Sequence, residues 1–357
     1  MSLLGERLLN QQLLGTRLRT AVEMVSWFGA MQAQDYAGAR WAIGLRASVL
    51  TDADVAHAFD TGEILRTHVL RPTWHFVAPA DIRWLLALTA PRVQAVNASY
   101  CRQFSLDTRV LTRARRILER ALDSDACLTR TELGATLATH GIKVDGTALG
   151  LVVMHAELEG VICSGPRRDK QFTYALLDRR VAPTPARDPD DALGELTRRY
   201  FSSHGPATVR DFAWWSGLTQ RACRRGIDVA GASISSEVVG DLEYWRTGTR
   251  RPPTRAAATT VHLVPNYDES LIAYQDRGLA VPPIETREKR ERDPFMHHVL
   301  LDGRIAGSWS RRVVGRATEI DVACYNRPTR ALRDGVERAV QRLGTFLGVP
   351  TRLRSIR

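Results

Sequence analysis

Over residues 113–123, Ile117, Leu118 and Leu122 fall on one face at helical spacing. Thr129 with Glu132 forms a capping box that opens a second helix, and Gly141 marks its end. Asp145 starts a third helix over 147–159, stopped by Gly160. Two apolar runs follow, 161–164 and 171–177, joined by the turn Gly-Pro-Arg-Arg-Asp-Lys. A later stretch repeats this plan. Residues 193–203 read as a helix, Thr208 and Asp211 as a capping box whose helix Gly217 closes, and Thr219 as the next cap. The helix after Thr219 carries Arg221, Arg224 and Arg225, and the runs 234–239 and 243–246 can pair as a hairpin.

Three helices followed by a hairpin with a basic tip is the order of a winged helix, in which those three arginines would face DNA. Any helical protein holds helix–turn–helix pairs and solvated arginines, so one copy decides little; two in matching order favour tandem winged helices. The first hundred residues fit a looser third copy. Helices near 6–15, 20–30 and 52–60 precede strand-like runs 64–70 and 73–78, split by Arg71-Pro72, and a helical pattern resumes over 81–90. Residues 247–258 read as a linker and 281–293 as a surface loop. Beyond the linker, 261–264, 297–302, 305–309 and 318–324 read as strands and 330–347 as a final helix. Asp302-Gly303, between two β runs, is the strongest short hairpin signal in the chain. The expectation is an α+β protein, mostly helical. Three tandem winged-helix units, 1–105, 106–185 and 186–250, precede a C-terminal β-rich region with a terminal helix, 258–357.

The charge changes the picture. The 357 residues contain 50 Lys+Arg against 39 Asp+Glu, a net +11, and only Lys143, Lys170 and Lys289 are lysines. A GC-rich genome favours arginine codons, yet the positive excess still asks for a polyanionic partner, nucleic acid first. Five scattered cysteines with no CxxC pair indicate neither a zinc ribbon nor a disulfide framework. The Leu-rich start is broken by Glu6, Arg7, Asn10, Gln11 and Gln12, so no signal peptide is expected, and no run of apolar residues is long enough to span a membrane. A cytoplasmic protein is expected.

Few residues offer chemistry. No GxSxG, HExxH, P-loop or GxGxxG stands in a supporting context. His297-His298 near Asp302 makes a poor metal site, because adjacent strand residues point to opposite faces. Asp268-Glu269 could be catalytic, or could cap the helix that begins at Ser270. In Gln32-Ala33-Gln34, the two glutamines diverge if the segment is helical but share a face if it is extended.

Gln32-Ala33-Gln34 resembles the Gln–aliphatic–Gln motif of the AlkZ-like DNA glycosylases, a winged-helix family; Ala33 is smaller than the usual central residue. Four other stretches agree in order: Arg66 to Val77 (RTHVLRPTWHFV), Gly205 to Phe212 (GPATVRDF), Pro265 to Glu269 (PNYDE) with Ala273 to Arg277 (AYQDR), and Asp302 to Trp309 (DGRIAGSW). The resemblance covers about residues 15–350. It implies three winged-helix units around a concave, DNA-sized surface. It also implies monofunctional excision of bulky N7-alkylguanine adducts from double-stranded DNA, including crosslinks left by genotoxic natural products, by a monomer needing no cofactor. A sister branch, similar to YcaQ, ends the motif in Asp, so Gln34 places this chain on the AlkZ side.

Alkylation at N7 makes guanine a good leaving group, so the enzyme need only hold a water near C1′ and favour the oxocarbenium ion. Gln32 and Gln34 are the candidate catalytic pair; their amide oxygens can accept from that water, and a glutamine cannot titrate. Candidate DNA contacts are Arg304, Trp309, Arg311 and Arg312 on the Asp302-Gly303 hairpin, with Arg304 at its tip, and Arg71, Trp74 and His75 at the wall of the site. Arg221, Arg224 and Arg225 complete the set. A non-catalytic winged-helix DNA-binding protein is the alternative.

Overall fold

The computed structural model describes residues 2–15, 18–47, 49–123, 127–248, 259–281 and 296–357. After α1 (Leu3–Asn10), one element order recurs. It first runs α2 (Ala21–Phe28), β1 (Met31–Gln32), α3 (Tyr36–Arg46), α4 (Asp52–Thr61), β2 (Leu65–His68) and β3 (Trp74–Val77). The strands pair in the order β1-β3-β2. A long helix, α5 (Pro79–Gln103), leads to the second run: α6 (Thr108–Ala121), β4 (Leu128–Thr129), α7 (Arg130–Thr139), α8 (Gly146–Leu158), β5 (Ile162–Ser164) and β6 (Thr173–Leu176). Its sheet order, β4-β6-β5, is the same. Past α9 (Leu177–Arg180) come α10 (Pro189–Ser203), α11 (Val209–Ser216), α12 (Gln220–Ala230), β7 (Ile234–Val239) and β8 (Leu242–Thr247). Here a single bridge between Ala207 and Trp245 stands where the short first strand would be.

The C-terminal part holds β9 (Val261–Val264), α13 (Glu269–Ile272), β10 (His298–Leu301), β11 (Arg304–Val314), β12 (Ala317–Cys324), α14 (Arg330–Leu347) and β13 (Thr351–Ile356). Five strands form one sheet, β13-β12-β11-β10-β9, in which only β12 and β13 run parallel. Asp302 (φ 48°) and Gly303 (φ 82°) make the two-residue turn between β10 and β11, with the left-handed backbone that such hairpins require.

The capping boxes at Thr129–Glu132 and Thr208–Asp211 both form. Several elements escaped the sequence pattern, among them β4, α9, strand β13 beyond the last helix, and α3; the helix expected over 6–15 is present as α1 but ends at Asn10. Almost every α3 side chain is buried, so no polar face advertises a helical period. Its glycines, poor helix formers, are there for space: a Cβ on Gly44 would sit 2.2 Å from the Phe346 ring of α14. The linker and loop expected over 247–258 and 281–293 lie almost wholly outside the described residues.

Three cores result. One joins Phe28, Ile43 and Phe59 to Leu263, Val299, Ile320, Val336 and Phe346, so the first run shares its interior with the C-terminal sheet and α14. A second joins Leu65, Val77 and Leu85 to Tyr200, Phe212 and Trp215 of the third run. The third belongs to the middle run alone, with Leu118, Leu133 and Val152 among its members. At roughly 1.5–3 kcal/mol for each large apolar side chain removed from water, the first two cores clamp β1 and β3 from both sides. The middle run lends Leu158 and Cys163 to the second core, and its Arg130, Thr147 and Gly150 face Trp74 across a cleft.

Candidate active site

Gly29, with φ 79°, stops α2, and the chain turns into an extended segment before the glutamines. Met31 pairs with Phe76 and Gln32 with His75; the Ala33 N–H donates to Trp74 O at 2.7 Å. Gln32 is buried and Gln34 exposed. The Gln34 N–H donates to Gln32 Oε1 at 2.6 Å, which fixes the Gln32 amide and leaves its oxygen one further lone pair. Gln34 Oε1 lies 3.4 Å from the Trp74 N–H, a long contact that leaves it available to another donor.

This short segment is held from three sides. The Gln32 N–H donates to Glu269 Oε1 at 2.7 Å, while Glu269 Oε2 accepts from Trp215 Nε1 at 3.1 Å and lies 3.3 Å from His204 Nε2. The Ala33 carbonyl accepts from Arg66 Nε at 3.0 Å, and the Arg66 N–H donates to Ser164 Oγ. The Arg66 guanidinium also lies 4.3 Å from the Trp74 ring and 4.7 Å from Phe172, and burial draws it down to about 10. Asp268 is the N-cap of α13, accepting from the Ser270 N–H at 2.9 Å, and it ion-pairs with the fully buried Arg46 at 2.7 Å. The acidic pair therefore divides its work: Asp268 caps, while Glu269 supports the glutamine strand.

Gln34 opens on a cleft of about 760 Å³. One wall carries Gln34, His68, Pro72 and Trp74, and the other Arg130, Thr147, Gly150 and Met154. The His68 and Trp74 rings lie 4.4 Å apart, and His68 Nδ1 is bonded to the Glu157 carboxylate of α8.

The remaining sequence-derived candidates are dispersed. His75 is wholly buried, its Nδ1 2.9 Å from Thr73 O; burial, and then the Arg71 charge, push it well below the usual histidine value. Arg71 Nε and Nη2 are buried without hydrogen-bond partners. Trp309 is buried and donates to Val264 O at 2.8 Å. Arg304 is exposed beside a turn whose Gly303 faces Leu4 and Leu8 of α1. Arg311 and Arg312 lie on the solvent side of β11, with Arg312 Nε 2.8 Å from Glu319. On α12, Arg225 is engaged by Asp190, while Arg221 and Arg224 are exposed. The structure thus brings Trp74 to Gln34 in one cleft, places His75 and Trp309 in the interior, and puts the arginines on separate elements, Arg221, Arg224 and Arg225 on α12 and Arg304, Arg311 and Arg312 on β11. Sequence reasoning missed His68, Glu157 and the holding role of Arg66, although RTHVLRPTWH was singled out as a block.

Comparison with known proteins identifies the family. The family model for AlkZ-like DNA glycosylases matches residues 25–346. An interstrand DNA cross-link repair glycosylase from Streptomyces sahachiroi is 23% identical over 304 residues, 81% of this chain and 82% of that protein. The solved structure of the Streptomyces sahachiroi DNA glycosylase AlkZ superposes with a TM-score of 0.80 at 20% identity, covering 98% of both chains. The chain belongs to the AlkZ-like family and is a DNA glycosylase.

Proposed function

We propose that this glycosylase hydrolyses the N-glycosidic bond of bulky N7-alkylguanine adducts in double-stranded DNA, unhooking interstrand crosslinks where the adduct bridges two strands. It acts as a cytoplasmic monomer, at the nucleoid, without a cofactor. The thrice-repeated element order supports three winged-helix units, 1–105, 106–185 and 186–250, which with the β-rich region 258–357 form a concave surface for the duplex. The observation that carries the reading is the Gln32-Ala33-Gln34 segment, in which β1 ends at Gln32 and the chain bends at Gln34, at the mouth of a cleft. The Gln34 N–H donates to Gln32 Oε1 and sets that amide beside Gln34, where the two side chains can share one water. Departure of a cationic base needs no acid; it needs that water placed at C1′ and a dipole turned towards the developing cation.

Single-turnover excision from a duplex with one N7-alkylguanine tests it. Gln32→Ala and Gln34→Ala should each lower the rate about 10²–10³-fold, the usual size for one preorganised polar group. The double variant should lose little more than the worse single, because the pair acts as a unit. Gln34→Asp, which introduces a charge able to stabilise the oxocarbenium ion, should keep more activity than Gln34→Ala. Duplex affinity should hardly move, since phosphate contacts supply most of it. A folded double variant with the wild-type rate would remove the glutamines from the mechanism.

A further inference from the structure

We propose that His68, held by Glu157, is the catalytic base that takes the proton released by the attacking water. This rests on the glutamine-pair reading above and supplies the step that reading lacks. When the C1′–N9 bond breaks, its electron pair goes to the base and cancels the N7 charge. When water oxygen bonds to C1′, the product carries one proton too many, and that proton must leave. An amide can orient the water but cannot hold the proton.

Among the side chains lining the Gln34 cleft, His68 is the one of a type that exchanges protons near neutral pH. Its surroundings are built for that exchange. Glu157 is wholly buried, one oxygen bonded to His68 Nδ1 and the other without a partner, so this carboxylate is committed to the ring. A carboxylate on Nδ1 fixes the tautomer with its lone pair on Nε2 and balances the imidazolium once the proton arrives. Among the described residues, the ring's one hydrogen bond is that from Nδ1 to Glu157. The dyad is also tied to the glutamines: the His68 ring packs on Trp74, Trp74 on the Arg66 guanidinium, and Arg66 holds the carbonyl of Ala33 between the two glutamines. The other titratable or charged groups around the dyad are Arg66 on β2, His75 on β3, Cys163 on β5, Tyr174 on β6 and Arg130 on α7.

The test is single-turnover release of N7-methylguanine from a duplex oligonucleotide between about pH 5 and pH 8, where histidine changes charge, corrected for enzyme-free loss. The wild-type rate should rise with pH as one group loses its proton, and then level off. H68Q should be about 10²-fold slower at the plateau, the lower end for a general base, and its profile should lose the step, while duplex affinity is kept. E157Q should fall comparably, because an amide can donate to Nδ1 and hold the wrong tautomer; it carries the same test if H68Q does not fold. An H68Q or E157Q enzyme that keeps the wild-type rate and pH step overturns the proposal. If Gln32→Ala and Gln34→Ala are meanwhile slow, the glutamine reading survives alone; a wild type inert on this probe overturns both.

Discussion

Glu269 is buried between two groups that can only donate to it, and replacing it measures what that arrangement is worth. The Gln32 N–H and the Trp215 indole N–H are donors with no acceptor capacity, at 2.7 and 3.1 Å from separate carboxylate oxygens. Glutamine keeps the shape but offers one oxygen and one NH2, so one of the two donors must face another donor. Hydrogen bonds to a charged group contribute about 1.5–3 kcal/mol each. Losing one and weakening the other should cost Glu269→Gln about 2–4 kcal/mol. Glu269→Ala leaves both donors and His204 unsatisfied and should cost about 3–5 kcal/mol, the range for an orphaned buried partner. Urea unfolding followed by tryptophan fluorescence reads both values, with Trp215 itself a reporter. Excision by Glu269→Gln should also fall at unchanged duplex affinity, since the anchored atom is the backbone nitrogen of a glutamine in the candidate pair. Either variant unfolding at the wild-type midpoint, or Glu269→Gln proving less stable than Glu269→Ala, would refute the reasoning.

Three further outcomes follow from the coordinates. Burial alone would raise the Asp268 carboxyl, but Arg46 and Ser270 outweigh it and hold it below the ordinary 3.8; its stabilisation is therefore complete above that value and lost as pH falls through the lower folded one. Asp268→Asn should cost about 3–5 kcal/mol at neutral pH and flatten the acid limb of an unfolding titration; an unaltered limb would count against the pair. A Cβ on Gly307 would lie 2.2 Å from Ala323 O of the adjacent strand, so Gly307→Ala should destabilise by about 1–3 kcal/mol, read as a lower urea midpoint, and an unchanged midpoint would show that β11 and β12 part without cost. If exposed Arg304 meets phosphate, Arg304→Ala weakens binding to every duplex and lowers the salt slope by about one unit, whereas a constant slope assigns the side chain to solvent.

Most of the helices and strands were legible because their signals are local. A capping box such as Thr129–Glu132 fits within one turn, and Asp302-Gly303 needs only two left-handed residues. The terminal helix over 330–347 has the expected bounds, Arg330–Leu347. α3 was invisible because its surroundings come from elsewhere: the Phe346 ring that needs Gly44 lies on α14, and burial on all sides erases the apolar stripe. The shared core of the first run and the C-terminal sheet was hidden for the same reason, since Phe28 and Val336 join one core from nearly opposite ends of the chain.

The site divides along the same line. Gln32-Ala33-Gln34 stood out in the sequence, because two amides flanking one small residue are unusual. What holds them in place is not local. The nitrogen of Gln32 is fixed by a carboxylate 237 residues away, and the imidazole of His68 by one 89 residues away. A short two-residue strand has too few hydrogen bonds of its own to hold a catalytic geometry, so its precision has to be imported from elements with independent cores. Glu269 brings it from the third and C-terminal parts, Arg66 from β2, and Glu157 from the middle run. Each of those side chains is charged and buried, a costly arrangement whose partners in this protein converge on one strand and one cleft. That convergence, not the motif, is the physical reason to place the chemistry there.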